Sequence, residues 1–219
     1  MSDKRSQAVN AVRETLFGDM PPSSWPSADS SVRGEPWDSF LQAREASAAG
    51  KTDQARQILY QIVGTPGFET RHYLQAWHFL RDLGEQPRRE YAKKVLGVVV
   101  EVGLDEGLDI VAAYLDGNAR YFNYSGAAVI WEHPNDSLDT EIEALLEAGQ
   151  AVVQQTGPWD KARPDPPATG NVRINLLVPE GLNFGEGPFG ALANDALGGP
   201  VISAAMALMQ GLMSRTGRD

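Results

Sequence analysis

The stretch from Gly97 to Glu132 reads GVVVEVGLDEGLDIVAAYLDGNARYFNYSGAAVIWE, and its two-residue alternation decides the fold. From Gly97 to Gly103, Val98, Val100 and Val102 alternate with Val99 and Glu101. That predicts a strand with one face buried and the other partly so. Leu104-Asp105-Glu106-Gly107 reads as a turn. Leu108–Leu115 follows as a second strand, with Leu108, Ile110, Ala112 and Tyr114 on one side. Asp116-Gly117-Asn118 is the clearest hairpin signal in the chain. Ala119–Tyr124 is a third strand, Ser125-Gly126 a tight turn or bulge, and Ala127–Glu132 a fourth. Successive strands joined by short turns make an antiparallel meander.

Beyond it, Pro134-Asn135-Asp136-Ser137 stops the sheet. Asp136 or Ser137 is placed to cap a helix from Leu138 to about Gln155, whose dry side is Ile142, Leu145, Leu146 and Val153. A linker with four prolines, Thr156 to Gly170, precedes a strand over Val172–Val178. A Gly-rich loop is expected from Gly181 to Gly190, and a last helix from about Pro200 to Ser214. Strands, helix, one or two strands, helix is the order of an α+β fold with helices on one face of an antiparallel sheet. In that order alone it resembles profilin-like, longin/roadblock-like and PAS-like domains.

Toward the N-terminus the period changes to that of helices. Trp37–Ala49, Thr52–Val63 and Glu69–Leu83 each carry an apolar stripe, and a shorter helix is expected from Pro87 to Leu96. Gly50, Gly64-Thr65-Pro66-Gly67 and Gly84 separate them, and Thr52 or Asp53 is a candidate N-cap. Gly50, Ala55, Leu59 and Pro66 resemble the second half of a tetratricopeptide repeat. The first-helix positions of that repeat hold Ser39, Gln42, Ala43 and Ala46 here, so the resemblance implies stacked helical hairpins and not a repeat array. Before them come a short amphipathic helix, with Val9, Val12, Leu16 and Phe17 on one face, and a Pro/Ser strap from Met20 to Pro36. Three segments follow: 1–36, 37–96 and 97–219.

The chain has 219 residues, 42% of them hydrophobic, and a formal net charge of −10. That length buries a sizeable core in one or two domains. The negative charge disfavours nucleic acid and anionic membrane. The densest basic cluster, Arg88, Arg89, Lys93 and Lys94, reads as a solvated helix face. There is no cysteine, which excludes disulfides, thiol nucleophiles and thiolate metal sites. The first twenty residues hold no apolar run of signal-peptide length, and Pro200–Met213 is too short to span a bilayer. A soluble cytoplasmic protein is therefore expected.

No family of catalytic residues emerges. Gly185-Glu186-Gly187-Pro188-Phe189-Gly190 has the glycine spacing of a dinucleotide loop. Pro188 removes an amide donor and Glu186 repels phosphate, so a wide turn explains it as well. Gly50-Lys51-Thr52 lacks the first glycine of a phosphate loop. His72 and His78 point in different directions on one helix. Glu132, His133 and Asp136 could hold the metal of a hydrolase, and a strand end followed by a capped helix explains every residue there.

Two polar or soft patches remain. In the Arg120–Ser125 segment, alternation puts Tyr121, Asn123 and Ser125 on one side, a set able to orient a small ligand or a peptide. Met206, Met209 and Met213, with Leu208 and Leu212, read either as a partner-docking stripe or as core packing. The reading favoured is a non-enzymatic protein–protein interaction or adaptor protein, its partner another protein or a second copy of the chain. Trp25, Tyr73, Trp77, Tyr121, Asn123 and Ser125 are its interaction or ligand candidates. No cofactor and no metal ligand is assigned. A small-ligand sensor is the alternative.

Overall fold

The computed structural model describes residues 2–23, 25–26 and 34–215, with side chains from Val9 on. Ser24 and residues 27–33 of the expected strap lie outside the described residues, as do the side chains of Lys4 and Arg5. The chain forms two compact units, Met1–Ala92 and Lys93–Asp219.

The first unit is helical: α1 (Ser2–Phe17), α2 (Trp37–Ala48), α3 (Thr52–Gly64), α4 (Thr70–Asp82) and α5 (Arg89–Ala92). Phe40, Ala43, Leu59, Ile62, Trp77, Phe79 and Leu80 form its buried core. Gly50 makes the turn between α2 and α3 at φ +72, a conformation that glycine adopts without a Cβ clash. Ala55 and Leu59, two of the repeat-like residues, are buried. The N-cap of α3 is Lys51, and no side chain caps it. The stretch before α2 is tied to the unit rather than free: Met20 exchanges two hydrogen bonds with the Gln75 amide.

The expected helix from Pro87 to Leu96 is cut to α5. Val95 and Leu96 are pulled out of helical geometry by the sheet side of the chain: the Leu96 N–H donates to Leu177 O at 2.9 Å, and the Val95 N–H donates to the Gln150 amide oxygen. The unit boundary accordingly falls at Ala92/Lys93 rather than at Leu96/Gly97. Of the basic cluster, Arg88, Arg89 and Lys94 are exposed and Lys93 is half-buried. Lys93 turns to Val153 O and Thr156 O, where a cation suits the carbonyl end of a helix.

Among the described residues, the second unit is a six-stranded antiparallel sheet with three helices. Its elements are β1 (Gly97–Leu104), β2 (Gly107–Tyr114), β3 (Ala119–Phe122), β4 (Ala128–Trp131), α6 (Asp139–Val153), β5 (Asn171–Val178), β6 (Gly181–Pro188), α7 (Phe189–Ala193) and α8 (Gly198–Arg215). The strand order is β4-β3-β2-β1-β5-β6. The meander is as the alternation predicts, and the chain then crosses by α6 to add β5 on the other side of β1. The two-residue turn Asp105-Glu106 sets the register Leu104↔Gly107 and Val102↔Asp109.

One face of the sheet carries Val98, Val100, Val111, Ala113, Tyr121, Ile174 and Leu176 in a single apolar core with Ile142, Leu145, Ile202 and Leu208 from the helices. At about 25 cal/mol per Å² of buried apolar surface, this core is the chief force holding α6 and α8 to the strands. Gly149 permits the close approach of α6, since a Cβ there would lie 2.6 Å from Val98 Cγ2.

Two expectations are corrected. Gly181–Pro188 is strand β6, paired with β5 from Val178↔Gly181 to Asn171↔Pro188, not a loop. Its glycines weaken intrinsic strand preference, and the ladder to β5 supplies what the side chains do not. The N-cap of α6 is Leu138, with no side-chain cap. Asn135 instead accepts from the Ser137 N–H and hydroxyl. Among the described residues, no helix is long and apolar enough to cross a membrane.

Candidate functional site

In the helical unit, Trp25, Tyr73 and Trp77 are engaged within the unit itself. The Trp25 ring lies 5.1 Å from Trp37, 4.7 Å from Phe40 and 6.2 Å from Phe79. The Tyr73 hydroxyl donates to Thr65 O at 2.8 Å and accepts from the Phe68 N–H, clamping the connection between α3 and α4. Trp77 is buried between Tyr60 and Tyr91. His78 approaches Asp82 at 3.7 Å. Burial lowers its pKa more than the carboxylate raises it.

In the α/β unit, Tyr121, Asn123 and Ser125 do not share a strand face. β3 ends at Phe122. Asn123 Oδ1 accepts from the Ser125 N–H, the Ser125 hydroxyl and the Ala127 N–H, so these residues close a turn on themselves. Tyr121 faces the helices and donates its hydroxyl to Asp109 Oδ2 at 3.1 Å. The Tyr124 N–H donates to the other Asp109 oxygen at 2.8 Å. Burial, and then the Asp109 charge, push the Tyr121 phenol up to about 12.

Asp109 marks a site that none of those candidates named. It stands at a cavity of about 200 Å³ between the sheet and α8. Val100, Val102 and Val111 supply the strand side, and Ile202, Ala205 and Met209 the helix side. Phe189 and Met206 also line it, and both are exposed, at 36% and 44%. Asp109 is its one ionisable lining residue. The methionine series thus divides: Leu208 and Leu212 are core, Met209 is half-buried, and Met206 and Met213 are exposed. The alternation of β2 already puts Asp109 on the same side as Val111 and Ala113, which is the signal available in the sequence. Phe189 and Met206 reach the site from far along the chain, and no local pattern announces them.

His133 lines a second cavity, about 280 Å³, with Asp116, Asp139 and Glu143. Glu132, expected beside His133, turns instead to Arg120 at 3.3 Å. Among the described residues, no three His, Asp or Glu side chains converge as a metal site.

The opposite face of the sheet is polar at its centre. Glu101 is fully buried. Asn175 Nδ2 donates to it at 3.1 Å, and Arg173 lies 3.8 Å away. Arg173 also donates to Glu186, and to Asp165 O at 2.6 Å in the Pro-rich segment 156–170. That segment acts as a strap. The Trp159 N–H donates to Leu182 O on the edge strand β6, its ring packs 5.1 Å from Phe184, and Gly170 bonds back to Gly103. The Arg173, Trp159 and Gly170 contacts fasten the segment to the sheet.

Compared with protein-family models, with curated proteins and with solved structures, the chain shows no significant match to any. The cavity beside α8 is therefore judged by its chemistry alone. It can receive one apolar group and offer a carboxylate to whatever accompanies it.

Proposed function

We propose that this chain is a non-enzymatic interaction protein whose α/β unit seats an apolar side chain of a protein partner in the cavity beside α8. The observation that carries this reading is the match of size and lining. Sites for drug-sized ligands and cofactors usually run to about 300–1,000 Å³, and this cavity is about 200 Å³. A dry cavity of about 150 Å³ already accepts benzene, so one aromatic or long aliphatic side chain fills this one. The exposed Met206 adapts its shape to such a guest at little energetic cost.

The test is a photo-crosslinking residue at position 206 in the native host. A discrete protein adduct is expected, and it should fade when Ala205→Leu fills the cavity. Adducts that persist in the filled variant, or turnover of any common substrate class by the purified chain, would overturn the reading.

A second reading, a small-ligand sensor, has one observation in its favour: the Asp109 carboxylate gives the apolar cavity a polar edge. Native mass spectrometry separates the two readings. A retained small molecule that disappears on denaturation selects the sensor, and a bare 23.8 kDa chain selects the adaptor.

A further inference from the structure

The charge of the chain is not shared between its halves. Residues 93–219 hold seventeen acidic and eight basic residues, a formal net charge of −9, while residues 1–92 hold twelve and eleven, a net of −1. Two of the eight basic residues, Arg120 and Arg173, are buried in ion pairs. The asymmetry is sharpest around the cavity. The stretches 97–114 and 181–214, which include every residue lining it, contain no lysine or arginine. Asp109 lines the cavity, and Asp105 and Glu106 stand exposed in the turn between the two strands that floor it. Exposed Met206 and Phe189 are the apolar part of the same surface.

Resting on the reading that this cavity seats a side chain, we propose that its occupant is a basic amphipathic segment of a partner protein. An apolar anchor enters the cavity, and lysine or arginine residues beside it face Asp109, Asp105 and Glu106. The apolar contact gives affinity. The uncompensated carboxylates select the partner by sign, because a negatively charged segment meets only repulsion there. One anchored side chain flanked by charges near the protein surface is a weak, salt-sensitive mode of binding, suited to reversible association.

The experiment uses the full chain and four short fluorescent peptides of one helical pattern: Leu with Lys, Leu with Gln, Leu with Glu, and Gln with Lys. The Leu/Lys peptide should bind about tenfold tighter than Leu/Gln, the sum of a few exposed charge pairs. Leu/Glu should bind weakest. Added salt should bring the Leu/Lys and Leu/Gln affinities together. Asp105→Asn with Glu106→Gln, two exposed changes that leave the core untouched, should remove part of the Leu/Lys advantage. Ala205→Leu should remove binding of every Leu peptide.

If Leu/Gln binds as tightly as Leu/Lys, the inference about charge is wrong and the cavity reading stands. If Gln/Lys matches Leu/Lys, the binding is mere adhesion to an acidic surface and the inference fails. If no Leu peptide shows binding that Ala205→Leu abolishes, the cavity reading falls and this inference with it.

Discussion

On the face under α6 and α8, Val98, Val100, Ile174 and Leu176 lie in a continuous apolar core. On the opposite face, Glu101, Arg173 and Asn175 are buried among one another beneath a proline-rich strap. The two faces are parts of the same strands and follow one alternation. They differ in what a defect does to them. A defect in apolar packing costs contact area and no stranded charge, and this face has room for the cavity beside α8. A buried polar network is unforgiving, because a member left alone is a charge or a polar group without water. The proposed docking site lies on the apolar face and the strap on the polar one, and the predictions below measure that contrast.

The largest effect should come from Arg173→Met. It takes the Arg173 cation, 3.8 Å away, from the fully buried Glu101 carboxylate while Asn175 stays on it, and it frees the strap carbonyl at Asp165. Stability to urea should fall by about 3–5 kcal/mol. Adding Glu101→Leu to that variant should recover part of the loss, since the buried negative charge without its cation is then gone. A loss in Arg173→Met no larger than that of a surface substitution would erase the distinction between the faces.

Two glycines sharpen the comparison. A Cβ on Gly103 would lie 2.3 Å from Ala168 O in the strap, and one on Gly149 would lie 2.6 Å from the Val98 side chain. Each alanine should cost about 1–3 kcal/mol. Gly103→Ala should cost more, because a backbone carbonyl must move rather than a side chain. Hydrogen exchange should show protection lost in the strap for Gly103→Ala and under α6 for Gly149→Ala. The reverse order of cost would mean that the strap is the softer side.

How far this was legible in the sequence follows from the range of the forces involved. The meander from Gly97 to Trp131 is local, and its side-chain period states it openly. The last two residues of the expected third strand were lost because Asn123 satisfies three donors within its own turn, an option that alternation does not reveal. Strand β6 was invisible for the opposite reason. Gly181, Gly185 and Gly187 have no β preference of their own, and the strand exists because β5 offers it a ladder. The strap could be recognised as proline-rich, but Arg173 and Gly103, which hold it, are remote in sequence. For the site, Asp109 could be placed on the helix-facing side of β2. Its meeting with Phe189 and Met206 required the crossover from β4 to β5. Trp25 and Trp77 looked like anchors for a partner because aromatic residues serve cores and interfaces alike, and here their ring contacts are internal.

The cavity itself gives a smaller effect of opposite sign. Ala205 is buried at its wall, and Ala205→Leu should fill free space rather than displace neighbours. A gain of about 0.5–1 kcal/mol in stability is expected, as for other cavity-filling changes. A loss of the size seen for Gly149→Ala would mean that the space is not open to a guest, and would undercut the docking reading before any partner is sought.

An equally small effect, a loss, is expected from Tyr121→Phe, which removes the hydroxyl from Asp109 but keeps the Tyr124 N–H on the same carboxylate. Near neutral pH the loss should be about 0.5–1 kcal/mol, one hydrogen bond's worth. Its pH dependence is more telling. The folded phenol is raised from 10.0 to about 12 by burial and by Asp109. A raised acid is held in its neutral form by folding, so unfolding releases a proton more readily. The stabilising contribution is complete below the unfolded value near 10, and it is lost as pH rises through about 12. Tyr60 and Tyr91 are also raised and will shape the alkaline limb of both proteins, so the informative quantity is the difference between them. Urea midpoints should fall more steeply in the parent than in Tyr121→Phe across that window, and a late-titrating tyrosinate should vanish from the absorbance titration of the variant. Parallel curves would place the Tyr121 hydroxyl in water. Asp109 would then hold only the Tyr124 N–H, with its second oxygen open to a cation from outside.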